Sequence, residues 1–277
     1  MEALPMATVM KASEFVKKLK DVADNHKTLY VMGCFGAPMT AANKKRYCNN
    51  HSYNRQASRT KMINNSSPHT FGFDCVCLIK AILWGWNGDY KKTYGGAKYK
   101  SNGVPDVSAD GMIKLCSDVS TDFSKIEVGE AVWKKGHIGV YIGDGLVVES
   151  TPAWKNKVQI TALKNIGDKA GYNSRTWTKH GKLPYIEYDV AEKNDRGLDV
   201  AMYKDKDVFG QYKVTANKLH IRTGAGTVKK SLGTLSKDTV VRNYGYYNTT
   251  AGGAKWLYVV APNGVVGYCS AKYLKKC

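Results

Sequence analysis

Residues 129–151, GEAVWKKGHIGVYIGDGLVVEST, carry apolar side chains at a period of two on either side of Gly143-Asp144-Gly145. That period belongs to strands, and Gly/Asp punctuation between two such runs specifies an antiparallel hairpin. Upstream, TFGFDCVCLIKAILWGW (70–86) has a different character: an apolar run that reads as a helix from Cys75 to about Trp84, stopped by Gly85. A chain holding both features packs a helix on an antiparallel sheet, an α+β arrangement.

The remaining segments fit around that pair. ASEFVKKLKDVADNH (12–26) spaces Phe15, Val16, Leu19 and Val22 as one helical face, with Ser13 as candidate N-cap. Residues 40–70 are polar, Asn-rich and basic, with few periodic apolar positions, and read as a long insertion or loop. ADGMIKLCSDV predicts a short helix, and KVQITAL and LPYIEYD predict further strands. AEKNDRGLDVAMYKDKD (191–207) is polar and mixed in charge and reads as a linker. Beyond it, short alternating runs separated by turn residues predict a small all-β barrel. The expected organisation is therefore 1–190, a linker at 191–207, and 208–277.

Charge divides along the same line. The chain carries 42 Lys+Arg against 23 Asp+Glu, yet residues 208–277 alone hold eleven basic residues against the single acid Asp238. Such a density predicts an anionic partner beyond what solubility requires. No nucleic-acid-binding motif accompanies it. No stretch is long and apolar enough to span a bilayer, so membrane insertion is not expected. The N-terminus lacks the basic start and apolar core of a secretory signal, which predicts a cytoplasmic protein until something releases it.

The seven cysteines, scattered from Cys34 to Cys277, do not form the dense pattern of a disulfide scaffold. Cys75 and Cys77 lie about 200° apart on a helix and cannot grip one metal together, and no paired C-x-x-C unit supplies further ligands. No metal or other cofactor is expected. Cys75 shares a face with Leu78, Ile79 and Ile82 and sits in the first turn, after Asp74 as N-cap, where the helix dipole favours a thiolate. Cys77 reads as a small packed hydrophobe. A helix-start cysteine by itself is ordinary core; a nucleophile needs a base, and the base an orienting group.

The hairpin offers both. A three-residue loop at 143–145 pairs Ile142 with Leu146 and Gly139 with Glu149, making His137 and Glu149 diagonal neighbours on one face, roughly 7–8 Å apart. A two-residue Asp-Gly turn shifts the register by one and turns Glu149 to the other face. His180 is the rival base, but it lacks the hairpin carboxylate.

At this point the residues resemble a family, the NlpC-type cysteine peptidases of bacterial peptidoglycan, which have a papain-like fold. YVMGCFG (30–36) resembles that family's Tyr-x-x-Gly-Gly segment, GFDCVCLIK (72–80) its Phe-Asp-Cys-Ser-Gly-Leu-Val, and the hairpin its Gly-His-Val-Gly-Ile-Tyr-Ile-Gly ribbon. The likeness runs over roughly residues 27–188. It implies Cys75 as nucleophile, His137 as base and Glu149 as third member. It also implies that Tyr30 holds substrate beside the nucleophile and that Asp74 contacts a substrate amine. Val76 and Cys77 depart from the family's Ser-Gly, and Cys34 from its second Gly. The tail resembles a bacterial SH3-like wall-binding domain, through KLHIRTGAGTVKKSLGTLSKDTVV (218–241) and GYCSAKYL (267–274). Tyr244, Tyr246, Tyr247 and Trp256 are its candidate glycopeptide-binding aromatics, although Trp256, in an alternating strand, also suits a core.

Together these likenesses imply an endolysin-like hydrolase acting on peptidoglycan, cutting after D-glutamate or at the lactyl–alanine amide, and held by anionic wall polymers. A monomer is expected. The alternative is a wall-binding protein whose hydrolase has lost activity.

Overall fold

The run after Asp74 is helical: α4 spans Cys75–Leu83, and every residue of it is buried, Lys80 included. Asp74 caps it, Oδ1 accepting from the Cys77 amide at 2.7 Å while Oδ2 accepts from Gly33 N at 2.8 Å. In this computed structural model, which describes residues 9–188 and 197–277, the chain divides into two units with the boundary after Tyr188. The first unit is α+β.

Its strands are β1 (Met10–Lys11), β2 (Thr28–Tyr30), β3 (Phe35–Pro38), β4 (Phe71–Phe73), β5 (Ser117–Ser120), β6 (Ala131–Lys134), β7 (His137–Gly143), β8 (Leu146–Thr151), β9 (Lys157–Leu163), β10 (Ser174–Arg175), β11 (Lys179–Lys182) and β12 (Ile186–Glu187). Seven of them form one sheet in the order β10-β9-β8-β7-β6-β11-β5, antiparallel except for the β10–β9 pair. One face, with Ile138, Val140, Val148 and Val158, joins the core that holds α4 and α1 (Ala12–Asn25). Helix α1 buries Phe15, Val16, Leu19 and Val22 as expected, but it begins at Ala12 with no side-chain cap, so Ser13 is inside it. The other face carries Val132, Tyr141, Val147 and Leu163 under Phe123 and Trp177. A separate sheet, β2-β4-β3, pairs Tyr30 with Phe73 and so delivers Tyr30 to the start of α4.

Residues 40–70 are not a loop. They form α2 (Ala41–Asn50), capped by Thr40, and α3 (Ala57–Asn65), and α5 (Ala109–Leu115) follows later in the chain. Tyr47, Cys48 and Ile63 pack with Val31, Cys34, Ala37 and Met39 in a small core of their own. Asn-rich surfaces hide so narrow an apolar stripe from a periodicity argument.

The hairpin tip reconciles two expectations that excluded each other. Asp144 (φ 52°) and Gly145 (φ 71°) form a two-residue turn closed by the Gly143–Leu146 pair, where three residues were expected. A β-bulge between Tyr141 and Gly143 absorbs the extra residue, so Tyr141 opposes Val147 and Val140 opposes Val148. Glu149 thereby keeps the face of His137.

The second unit is all-β: β13 (Tyr203–Lys204), β14 (Gly210–Val214), β15 (Lys218–Arg222), β16 (Ser231–Ser236), β17 (Val240–Thr249), β18 (Lys255–Val260), β19 (Val266–Ser270) and β20 (Leu274–Lys276). All pair antiparallel in one eight-stranded sheet around Val214, Leu219, Ile221, Leu257 and Val259. The expected linker needs correction. Residues 191–196 lie outside the described residues, and 197–207 belong to this unit: Leu198 and Asp199 are buried, Asp199 N donates to Thr223 O at 2.7 Å, and Tyr203 pairs with Tyr247. Mixed charge concealed a buried Leu198.

Candidate active site

Cys75 opens α4, and burial leaves it 8% exposed. Backbone amides near the sulfur, that of Ile138 after His137 among them, favour its ionised form, and α4 packs against β7. Burial nevertheless pushes the thiol up to about 12, with the Asp74 carboxylate adding to the rise and these amides opposing it. The thiolate expected from the helix dipole is therefore overridden by desolvation; at neutral pH the resting sulfur holds its proton.

His137 heads β7, and Glu149 lies across the ribbon on β8 with no exposed surface. His137 Nε2 and Glu149 Oε2 are 2.6 Å apart. Thr161 Oγ1 donates to Oε1 at 2.7 Å, and Arg175 Nε reaches Oε2 at 2.9 Å and Oε1 at 3.1 Å. Burial by itself raises a carboxyl pKa. Here the hydrogen bond and charge of His137 and the charge and hydrogen bond of Arg175 outweigh it, and Glu149 lies below its ordinary value. It is an ionised carboxylate held on both oxygens. Trp177 stacks on the His137 ring, centroids 5.3 Å apart and planes 11° apart.

Gly139 makes that stacking possible. A Cβ there falls 2.8 Å from Val147 Cγ1 and 3.2 Å from the Trp177 ring. Gly139→Ala is expected to destabilise the first unit by about 1–3 kcal/mol through overpacking and to dislodge Trp177 from His137. A fall in melting temperature with a changed tryptophan emission checks it; an unaltered emission spectrum counts against the packing argument.

The remaining candidates fall around this centre. Tyr30 is buried beside Cys75 and Asp74; burial, then the charges of those two groups, pushes its phenol far up. From α3, the Arg59 guanidinium bonds the Tyr30 carbonyl and Asn156 Oδ1 and lies 5.6 Å from the Tyr30 ring, so the 40–70 segment backs the tyrosine. Asp74 is buried, with one bond to each oxygen from the backbone, and its first task is holding the helix tip. His180 is no base. It is 3% exposed, its Nδ1 pairs with Glu130 Oε2 and its Nε2 lies 3.1 Å from Asp122 O, so both ring nitrogens are engaged.

Of the four aromatics assigned to the second unit, two need correction. Tyr247 and Trp256 are buried, 8% and 6% exposed: Tyr247 packs in the core of this unit with Leu257 and Val259, whereas Trp256, next to Leu257 on β18, is buried outside that core. Tyr246 is half-buried with Lys204 Nζ 5.2 Å from its ring centroid, and Tyr244 is exposed, with Arg242 over its ring at 5.2 Å and Phe209 edge-on at 6.2 Å.

The sequence reading missed Thr161, Arg175 and Trp177. The fragment SRTWT (174–178) holds two of them within three positions, an Arg and a Trp beside a strand end, and was the available signal.

No family model matches the chain, and no curated protein matches it. Solved structures align with it, among them two of Ly7917. "The crystal structure of Ly7917 with the hydrolyzing product of MDP" has 15% identity and a TM-score of 0.21 over 55% of this chain and 60% of that one. "The crystal structure of Ly7917" has 15% identity and a TM-score of 0.23 over 71% and 82%. The chain thus spans 60% of the first of them. At these scores the likeness fixes neither fold nor chemistry.

Proposed function

We propose that the protein is a peptidoglycan hydrolase of the NlpC type, papain-like in its first unit and SH3-like in its second, cleaving an amide bond of the stem peptide. The observation that carries the reading is the buried Glu149 carboxylate bonded to His137 Nε2, with the Cys75 sulfur against the neighbouring Ile138 amide. Because Nε2 faces Glu149, the mechanism assigns Nδ1 to the thiol. His137 takes the Cys75 proton as sulfur adds to the amide carbonyl, and amides at the α4 tip stabilise the oxyanion. The imidazolium, steadied by Glu149, gives that proton to the departing amine. The same imidazole then deprotonates water, which releases the acid from the thioester and restores the thiol.

Mass spectrometry of fragments released from purified peptidoglycan tests this. A new free amine on the third stem residue marks cleavage after D-glutamate, and a free L-alanine amine marks cleavage at the lactyl amide. Walls that yield neither sink the hydrolase and leave the second reading, a wall-binding protein with an impaired catalytic unit. The deep burial of Cys75 and the bulky Val76 and Cys77 beside it favour that alternative.

The basic second unit suits anionic wall polymers, with Tyr244 as its displayed aromatic. Tyr244→Ala is expected to weaken binding to purified walls by about 5-fold, equivalent to roughly 1 kcal/mol. A co-sedimentation isotherm identical to that of the unaltered protein removes Tyr244 from the wall contact.

A further inference from the structure

Trp154, in the turn between β8 and β9, is unlike the other tryptophans. Its backbone has φ 53°, a region that bulky side chains rarely occupy, and its ring is 46% exposed. That conformation lays the indole over Arg175, whose guanidinium carbon is 4.8 Å from the Trp154 centroid and 5.6 Å from that of Trp177. Trp177 in turn stacks on His137. The guanidinium thus lies against two indoles. It holds Glu149 through Nε and Thr151 Oγ1 through Nη2, the latter at 3.2 Å.

We propose that Arg175 is a positioning residue for the His137–Glu149 pair, its guanidinium keeping the buried acid ionised and aimed at the imidazole, and that Trp154 is the cover that keeps the guanidinium in place. The catalytic consequence rests on the hydrolase reading; the positioning does not. Three groups reach Glu149, each from a strand beside it or across its face: His137 from β7, Thr161 from β9 and Arg175 from β10. Of these, only Arg175 bears a charge that no pH near neutrality removes. Without it, a carboxyl with no exposed surface holds its proton to higher pH and gives the imidazolium no counter-charge.

The deciding measurement needs no substrate. In the full-length protein labelled with carboxyl-13C glutamate, the Glu149 resonance is assigned by its disappearance in Glu149→Gln and titrated by NMR. Its midpoint is expected below that of the exposed glutamates, raised in Arg175→Gln, and kept low in Arg175→Lys, which restores the charge without the stacked plane. Should Arg175→Gln not fold, Trp154→Ala, at an exposed position, is expected to raise the midpoint by a smaller amount. A Glu149 midpoint that stays put in each folded variant overturns the proposal. On purified walls, Arg175→Gln is further expected to lower kcat about tenfold with KM little changed, the acid limb of the pH profile moving to higher pH, and Arg175→Lys to return the limb. A limb that does not move in Arg175→Gln speaks against the catalytic part. Walls untouched by the unaltered enzyme refute the hydrolase reading, while the titration still decides the positioning.

Discussion

Cys75→Ala is expected to leave a protein that folds, sediments with purified walls and releases nothing from them. The expected loss of rate is on the order of 10³-fold or more, the scale seen when a covalent nucleophile is removed and only binding and oxyanion stabilisation remain. Folding survives because the change deletes one buried sulfur at the tip of α4, while the Asp74 cap and the Ile79 and Ile82 core contacts stay. Cys77→Ala is the matched control. It lies two residues further into the same helix, burial pushes its thiol well up too, and its role is packing. Its activity on walls is expected to stay within a few-fold of the unaltered enzyme. Turbidity clearing and fragment yield, measured for both variants at equal bound protein, check the pair. Clearing that persists in Cys75→Ala ends the proposed mechanism, and a Cys77→Ala as inactive as Cys75→Ala places the chemistry on the wrong sulfur or the defect in packing.

The largest stability effect is expected away from the site. Glu130, just before β6, and His180 on β11 are buried, 2% and 3% exposed, and their side chains pair. Burial alone draws the His180 pKa down, but the hydrogen bond and charge of Glu130 outweigh it and raise it above 6.5. A raised histidine stabilises the fold fully below its unfolded pKa, near 6.5, and the contribution fades as pH climbs through the folded value. The pair is therefore worth most in mildly acidic solution and least in alkaline. Glu130→Ala removes one partner of a buried ion pair and is expected to cost about 3–5 kcal/mol at pH 6. Glu130→Gln keeps an acceptor and loses the charge, so it is expected to flatten the pH dependence. Hydrogen exchange of the β6 and β11 amides between about pH 5 and 9 checks both. Equal protection in Glu130→Ala and the unaltered protein, or a pH slope that survives in Glu130→Gln, contradicts the account.

How much of this was legible depends on the range of the interaction. The hairpin and α4 are local patterns, alternation around Gly-Asp-Gly and an apolar run behind an Asp cap, and both are found where the sequence places them. The face shared by His137 and Glu149 was inferred from a loop that does not exist; a bulge produced the same pairing by another route. Helices α2 and α3 were illegible because Asn-rich turns with two or three buried positions carry almost no periodic signal. Arg175 and Thr161 reach Glu149 from 26 and 12 positions away along strands whose neighbours no propensity reveals. In the second unit, counting aromatics located an aromatic-rich sheet without saying which side of it each ring occupies. Tyr244 and Tyr247 lie three apart on β17, an odd spacing that turns one outward and the other inward.

The bulge beside Tyr141 makes competence an all-or-nothing property of the ribbon. If the same tip were ironed straight from Gly143 and Leu146, every later pair would slide by one, and Val148 and Ser150 would take the side of the imidazole. The strands would remain fully bonded and the molecule would still look folded by most spectroscopic tests. A single residue, Ile142, five positions from the ring, thus chooses between an acid–base couple and an aliphatic contact, and loop grafts at this corner have to respect that odd-or-even rule before any other.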